Sequence, residues 1–133
     1  MIGLDTTAII DIFKKEQSIK NLIINLIEDN EDIVSSIINY QEIMFGLDFN
    51  NEKHKLEEEF YDKFFDSIVL LSFSKDSSKK ESEIFWNLKK SGKSIGKIDS
   101  IISGILLSNG VNKIITKNKK HFENIKELEV LSY

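Results

Sequence analysis

Short apolar runs alternate with longer amphipathic segments along the 133 residues of this chain, and this alternation limits the folds open to it. Each run is short enough to be a buried strand, whereas the segments between runs repeat apolar residues every three or four positions, as helices do. Strands joined by helical crossovers run parallel, because each crossover returns the chain to the same edge of the sheet. The sequence therefore predicts an α/β fold of three layers, with a central parallel sheet of four or five short strands flanked by helices.

The bounds of the predicted elements follow from the same pattern. The apolar runs place strands at 2–5, 33–35, 68–71, 113–116 and 130–131. The periodic segments place helices at 19–27, 37–45, 51–65, 76–91 and 98–108. The uninterrupted apolar run at 68–71 is typical of a strand that is covered on both faces. Because no proline and no Gly/Ser-rich stretch interrupts the chain, we expect one compact domain spanning residues 1–133.

Three of the predicted helices indicate by their apolar or small residues how they pack. We expect an apolar face of Leu56, Phe60 and Phe64 in the helix at 51–65, and inward residues Ile84, Phe85 and Leu88 in the helix at 76–91. The helix at 98–108 contains Ser100, Ser103 and Gly104, whose small size would let a neighbouring element approach closely.

The composition excludes several classes of site. The chain has no cysteine, so disulfides, thiolate zinc sites and a cysteine nucleophile are all excluded. No apolar stretch approaches the roughly 20 residues of a membrane span, so we expect no membrane association. The amino terminus lacks a basic segment followed by a cleavable apolar core, and the expected location is therefore the cytoplasm.

Charge is distributed unevenly along the chain. Residues 1–66 carry a net charge of −9 and residues 67–133 a net charge of +5, which together give −4. The lysines of the second half that flank Asp99 and Asn118 are Lys89, Lys90, Lys93, Lys97, Lys113, Lys117, Lys119 and Lys120. A basic region beside carboxylates suits a phosphate-bearing substrate, and a solvated lysine-rich surface is the alternative. Arginine is absent, so phosphate contacts would rely on lysine point charges.

Acidic or amide side chains stand near the ends of apolar runs at four places: Asp5, Glu42, Asp99 and Asn118. Ligands of open parallel sheets bind outside the carboxyl ends of the strands, so Asp5 and Asn118 should lie in that crevice. Carboxylates that gather there repel one another unless a cation holds them, and their oxygens suit a divalent cation. This pattern predicts a metal site.

Four blocks, in order along the chain, resemble those of a known family. The first block, at 4–6, is Leu-Asp-Thr, and the second, at 35–46, contains Gln-Glu-Ile before a glycine. The third, at 96–102, begins Gly-Lys-Ile-Asp-Ser, and the fourth, at 116–122, is Thr-Lys-Asn followed by a phenylalanine. The chain resembles the PIN-domain ribonucleases over essentially its whole length, and particularly the VapC-like toxins of VapBC-type toxin–antitoxin pairs. This resemblance implies the PIN-like, Rossmannoid form of the predicted three-layer fold.

The resemblance also implies an activity. The protein would be a Mg²⁺- or Mn²⁺-dependent endoribonuclease that hydrolyses RNA phosphodiester bonds, with Asp5, Glu42 and Asp99 as catalytic metal ligands. It would be the toxin of a type II pair, silenced by a small antitoxin that inserts into the active-site groove. It would also form a homodimer, and the helix at 51–65 is a candidate for contacting the antitoxin.

The fourth block departs from the family pattern. Many members carry an acid at the position of Asn118 or just before the phenylalanine, whereas this chain has Asn118 and His121. Asn118 and Thr116 are therefore assigned supporting roles, through a water or a hydroxyl hydrogen bond. The RNA backbone would be held electrostatically, without sequence reading, by Lys113, Lys117, Lys119 and Lys120.

Simpler explanations exist for each proposed ligand. Asp5 could be a cap of the helix that follows it. Asp99 could have no role beyond stabilising the amino terminus of its helix, and Glu42 could be a solvated surface residue. His121 is interpreted as an exposed loop residue and Trp86 as a core or interface residue, so neither belongs to the predicted site.

Two other functions stay open. Another α/β phosphohydrolase is one, although a haloacid-type phosphatase needs an aspartate where this chain has Thr7. A receiver domain needs an acceptor aspartate at the end of the third strand, where this chain has Ser72 and Phe73. A non-catalytic PIN-like RNA-binding or scaffold module is the other, because the neutral Asn118 leaves the site with less negative charge.

Overall fold

Five strands form one all-parallel sheet in the computed structural model, which describes residues 1–133. The strands are β1 (Ile2–Leu4), β2 (Ile33–Ser36), β3 (Val69–Leu71), β4 (Lys113–Ile115) and β5 (Glu129–Leu131). The helices are α1 (Thr6–Phe13), α2 (Gln17–Glu28), α3 (Ile37–Phe45), α4 (Glu52–Asp66), α5 (Lys75–Lys90), α6 (Lys97–Ser108) and α7 (Lys119–Phe122). The predicted α/β fold, a short-stranded parallel sheet between helices, is confirmed.

The strand order β3-β2-β1-β4-β5 makes β1 the central strand. The chain extends the sheet from β1 through β2 to β3, and then returns to place β4 on the other side of β1. Leu4 at the end of β1 is paired with Ile115 at the end of β4. This change of direction opens a crevice beyond the carboxyl ends of the two strands, which is the edge where such sheets bind ligands.

Two apolar cores, one on each face of the sheet, produce the three layers. Adjacent residues of β4 belong to different cores, because successive side chains of a strand point to opposite faces. The core beneath α5 and α6 contains Val34, Ile84, Leu88, Ile102, Leu106, Val111, Ile114, Phe122, Ile125 and Leu128. The core beneath α1, α2 and α4 contains Ile2, Leu4, Ala8, Ile9, Ile19, Ile43, Tyr61, Phe65 and Ile115.

Small residues let α6 pack closely against α5 and β1. A methyl group added to Gly104 would lie 2.7 Å from the carbonyl oxygen of Ser77 in α5. Added to Gly3 in β1, a methyl group would lie 2.9 Å from the side chain of Leu106. The prediction that small residues permit close packing along this helix is confirmed.

The predicted apolar face of α4 is confirmed only in part. Leu56 is 71% exposed, whereas Phe64 packs against the core and Phe60 contacts Phe13. The most buried residues of the helix are Tyr61 and Phe65. These two rings pack against Phe13 of α1 and Tyr40 of α3. Because those partners lie over the carboxyl-terminal half of α4, the amino-terminal half projects into solvent.

Two further burial predictions are also wrong. The apolar run at 68–71 is not covered on both faces, since β3 is an edge strand and Val69 is 57% exposed. In α5, Ile84 and Leu88 are buried as predicted, but Phe85 is exposed. Helices α1 and α7 are absent from the prediction because each directly follows a strand end and is short. No helix combines the length and apolar character needed to cross a membrane.

Candidate active site

Asp5 lies at the crevice, directly after β1. Its backbone N–H donates to the carbonyl of Ile115 at 3.0 Å, which continues the pairing of β1 with β4. Its buried carboxylate accepts hydrogen bonds from the Thr116 hydroxyl at 2.7 Å, the Asn39 amide at 3.3 Å and the Thr7 hydroxyl at 3.3 Å. The carboxylate makes no capping bond to α1, so the explanation of Asp5 as a helix cap is wrong.

The partners of Asp5 are all neutral. A buried carboxylate normally requires a cation or a dense set of hydrogen bonds. Asp5 has three neutral donors and no salt bridge, whereas the other buried acid, Asp11, pairs with Lys117 at 3.1 Å. The environment of Asp5 therefore leaves its negative charge available to a bound cation.

Glu42 reaches the same crevice from α3. The Thr6 hydroxyl donates to its carboxylate at 2.7 Å. Partial burial raises the pKa of Glu42, the negative charges of Asp5 and Asp99 raise it further, and the Thr6 hydrogen bond opposes both effects. Hydrogen bonds link Glu42 to Asp5, because Asn39 donates both to Asp5 and to the Thr6 hydroxyl that binds Glu42.

Asp99 enters from the first turn of α6. Burial raises its pKa, as does the charge of Asp5, while His121 lowers it. The Nδ1 atom of His121 lies 3.1 Å from Oδ2 of Asp99. A methyl group on Gly96 would approach this same Oδ2 to 3.1 Å, so the glycine leaves room for the carboxylate.

Of the remaining predicted residues, Thr116 is buried, whereas Asn118, Lys119 and Lys120 are exposed. Thr116 is buried and its hydroxyl also accepts from the backbone N–H of Asn118 at 3.0 Å, which links the end of β4 to Asp5. Asn118 is exposed at the start of α7 and its side chain makes no capping bond. Lys119 and Lys120 are exposed on α7 beside it.

Lys113 does not reach the crevice. It begins β4, at the opposite edge of the sheet from Asp5, and its Nζ lies 3.5 Å from Glu31. Because a parallel sheet separates the two ends of each strand, a lysine at the start of β4 cannot share a site with residues at its end. Lys117 is at the correct edge, but Asp11 partly neutralises it.

Sequence reasoning missed two residues of the site, Asn39 and His121. Asn39 is buried and donates to both Asp5 and the Thr6 hydroxyl, the latter at 3.0 Å. Its signal is an amide inside the apolar segment at 37–40, in the first turn of a helix that begins with a Ser36 capping box. His121 is exposed as predicted, but it lies in the short helix α7 rather than in a loop, and its ring contacts Asp99.

The donor set fits a hard divalent cation. Carboxylate oxygens are the ligands that Mg²⁺ and Mn²⁺ prefer. No group of three acidic or histidine side chains lies close enough together to hold a metal ion in this structure. By their chemistry, Asp5, Glu42 and Asp99 are the side chains that could supply ligands.

Comparison with known proteins identifies the family. The PIN domain model matches residues 2–128. The chain belongs to the PIN domain family. It is 30% identical to Ribonuclease VapC1 of Methanocaldococcus jannaschii over 135 aligned positions, which cover 99% of this chain and 86% of that protein. The resemblance to PIN-domain ribonucleases of the VapC type is confirmed, which argues against another α/β phosphohydrolase.

Solved structures agree with this assignment at the level of the fold. VapBC2 from Rickettsia felis, bound to a promoter DNA fragment, superposes with a TM-score of 0.84 at 24% identity, covering 100% of this chain and 99% of that one. VapBC-1 from nontypeable Haemophilus influenzae gives a TM-score of 0.81 at 26% identity, with 99% and 98% covered. The PIN fold is therefore present over the full length of the chain.

Proposed function

We propose that this PIN-domain protein is a metal-dependent endoribonuclease and the toxin component of a type II toxin–antitoxin pair. The proposal is supported by where three carboxylates stand: Asp5 directly follows β1, Glu42 lies in α3 and Asp99 in the first turn of α6. Asn39 donates to Asp5 and to the Thr6 hydroxyl, and that hydroxyl donates to Glu42, which links two of the three carboxylates. The similarity to Ribonuclease VapC1 supports RNA as the substrate.

Each side chain would have a distinct task in this reaction. Asp5, held in place by Thr116 and Asn39, would be the fixed ligand of a Mg²⁺ or Mn²⁺ ion. Asp99 and Glu42 would complete the protein ligands, with Asn118 at their edge. When bound, the metal would supply an activated water for attack on the phosphodiester and would neutralise charge on the leaving oxygen.

The substrate and partners follow from the surroundings of the crevice. Lys119 and Lys120, with Lys117 at their side, would hold the RNA backbone by electrostatics without reading sequence. The exposed amino-terminal half of α4 is a candidate contact for a small antitoxin, by analogy with the VapBC complexes. We further infer a homodimer, acting in the cytoplasm where such RNA and antitoxin would be found.

A non-catalytic PIN-like RNA-binding or scaffold module is the second candidate. One observation favours it: the fourth corner of the site is occupied by the exposed, neutral Asn118 rather than by an acid. A scaffold would bind no metal. Thermal melting separates the candidates, because a cation at 100 times its Kd adds about 2.7 kcal/mol to the free energy of unfolding.

RNA cleavage with and without divalent metal tests the enzyme directly. The purified protein should cut RNA only with Mg²⁺ or Mn²⁺, and Asp5→Asn or Asp99→Asn should abolish cutting while the fold survives. Asp76→Asn is the matched control, because Asp76 lies in the first turn of α5 as Asp99 lies in that of α6. Full activity in the Asp99→Asn protein would refute the proposed site.

A further inference from the structure

An exposed aromatic pair lies on α5, outside the three-carboxylate site. Phe85 is 44% and Trp86 is 50% exposed, although Ile84 and Leu88 beside them are buried. The two rings meet edge to face with centroids 5.6 Å apart. The packing of α5 onto the fold therefore does not account for these aromatic side chains, since its buried residues lie on another face.

The chain around this pair is strongly basic. Between residues 84 and 98 there are four lysines, Lys89, Lys90, Lys93 and Lys97, and no acidic residue. Only Lys97 forms a salt bridge, to Glu81 at 3.0 Å. The ammonium group of Lys89 lies 4.9 Å from the centroid of Trp86 and 5.9 Å from that of Phe85. Glu81 and Glu83, which precede the pair, are bound by Lys97 and Lys80, and Lys90 and Lys93 line a separate cleft. Lys89 therefore adds an unpaired positive charge to the aromatic surface.

A cleft lies beside Phe85, between α5 and α6. It has a volume of about 360 Å³ and is lined by Phe85 of α5 and by Lys97 and Ser100 of α6, with Ser82 and Glu81 between them. Glu81 accepts hydrogen bonds from both Lys97 and Ser100, so these residues are already paired across the cleft. The exposed rings therefore stand at the edge of this cleft, and Lys89 is the lysine that lies against them.

We propose that Phe85 and Trp86, with Lys89, form an accessory site for single-stranded RNA, where one or two bases stack on the rings. Exposed aromatic side chains among lysines are how proteins bind single strands, the rings stacking on bases and the lysines following the phosphates. This inference rests on the proposed ribonuclease function and adds a substrate-binding surface to it.

The charge of the surface favours RNA over a second copy of the chain as its occupant. If two copies met with these rings at the symmetry axis, the unpaired Lys89 of each copy would lie close to that of the other, and like charges oppose such contact. A phosphate backbone instead complements Lys89. Phosphate binding alone would not require the rings, so their exposure points to bases.

Trp86 provides the measurement, because it is the only tryptophan of the chain. The full-length protein in EDTA is titrated with a single-stranded RNA 12-mer of mixed sequence, and Trp86 fluorescence is followed. Stacking should quench it, whereas an abasic oligonucleotide of equal length, which has phosphates but no bases, should quench it little. Equal quenching by the two would overturn base stacking, as would no quenching by either.

Substitutions then locate the site. Phe85→Ala should weaken binding of the fluorescently labelled 12-mer about 5- to 100-fold, the range expected for one lost stack. Phe73→Ala is the matched control, because Phe73 is similarly exposed at 46% but precedes α5. In the same assay Trp86→Leu should weaken binding of the 12-mer, whereas Trp86→Phe, which keeps an aromatic ring, should retain much of the wild-type affinity. Unchanged affinity in both Phe85→Ala and Trp86→Leu would refute the proposal.

Two controls separate this inference from the function on which it rests. Sedimentation without RNA compares the oligomeric state of the wild type with that of Trp86→Leu. The proposal expects the same state in both, whereas an oligomer that dissociates in Trp86→Leu would assign the surface to a protein interface instead. Quenching in EDTA without metal-dependent cleavage would overturn the ribonuclease and leave the RNA site standing. Metal-dependent cleavage without quenching would leave the ribonuclease standing and overturn the accessory RNA site.

Discussion

At the scale of single residues, the site depends on hydrogen bonds that hold one buried carboxylate in place. Asp5 receives its shortest bond from Thr116, whose hydroxyl also accepts from the backbone of Asn118. One hydroxyl therefore joins the end of β1 to the segment that follows β4. Removing it should affect both the stability of the fold and the shape of the metal site.

Thr116→Val should lower the free energy of unfolding by about 1–3 kcal/mol, because the buried Asp5 loses a hydrogen-bond donor while the volume is kept. Urea denaturation in EDTA measures this. Thr116→Ser keeps the hydroxyl and should lose about 1 kcal/mol at most, for one methyl group. If the valine variant proves as stable as the wild type, Thr116 does not support Asp5.

Glu42→Gln should raise the melting temperature of the metal-free protein at neutral pH. The pKa of Glu42 is raised above 4.5 in the folded state, so its ionised form opposes folding at pH values above that pKa. Glutamine removes this repulsion and can still accept the Thr6 hydrogen bond. The difference should vanish below about pH 4.5, where the glutamate is protonated in both states.

With Mg²⁺ or Mn²⁺ present, the order of stability should reverse. The wild type gains a cation between its carboxylates, and Glu42→Gln gains less because it offers one charge fewer. Melting curves with and without metal, recorded for both proteins, check this. A metal-induced rise of equal size in both would remove Glu42 from the ligand set.

The sequence could predict the acidic residues of the proposed site and the supporting hydroxyl of Thr116, but not their other neighbours. Asp5 and Asp99 are readable because a carboxylate at a strand end or in a helix first turn has a recognisable setting. Asn39 and His121 act only through contacts with residues that lie far away in sequence, Asp5 and Asp99 respectively. Lys113 has the right charge, but only the direction of β4 shows that it lies at the wrong edge.

At the scale of elements, the position of Asp99 depends on the close packing of α6 against α5. The small residues of α6 predicted that a neighbouring element packs closely against this helix. The buried face of α4 was predicted only in part: Leu56, Phe60 and Phe64 are regularly spaced, but α1 and α3 cover the carboxyl-terminal half of the helix and leave Leu56 exposed. Periodicity reveals an apolar face, whereas the partner that covers it is decided by tertiary structure.

Gly104→Ala should destabilise the protein by about 1–3 kcal/mol, because the new methyl group would meet the backbone of α5 and overpack the contact. It should also weaken metal binding, since α6 carries Asp99. Gly46→Ala is the control, because the contact there is 3.3 Å and lies within one helix end. Equal stability of the two variants, measured by urea denaturation, would contradict this view of the α5–α6 contact.

At the scale of the whole molecule, all three tyrosines tie separate elements together. A hydrogen bond to Asp62 and partial burial raise the pKa of Tyr40 to about 12, and burial raises the pKa of Tyr61 to about 12. Burial and a hydrogen bond to Asp11 raise the pKa of Tyr133 as well. The folded protein therefore keeps protons that the unfolded chain releases near pH 10.

Stability should consequently fall as the pH rises from about 10 towards about 12, because the unfolded state loses tyrosine protons first. Phenolate absorbance should show no tyrosine ionising near pH 10 in the folded protein, and all three ionising once urea unfolds it. Tyr40→Phe should weaken the loss of stability over this range. A phenolate signal of three tyrosines at pH 10 without unfolding would disprove the prediction.

The central position of β1 has a consequence for the order in which the protein becomes functional during synthesis. Asp5, Glu42 and Asp99 all leave the ribosome before β4 does, yet Asp5 is held by Thr116, which follows β4. A chain that stops short of β4 carries all three carboxylates but lacks both the strand that pairs with β1 and the shortest hydrogen bond to Asp5. We therefore expect the proposed nuclease centre to assemble only when translation is nearly complete, so that prematurely terminated products are inactive.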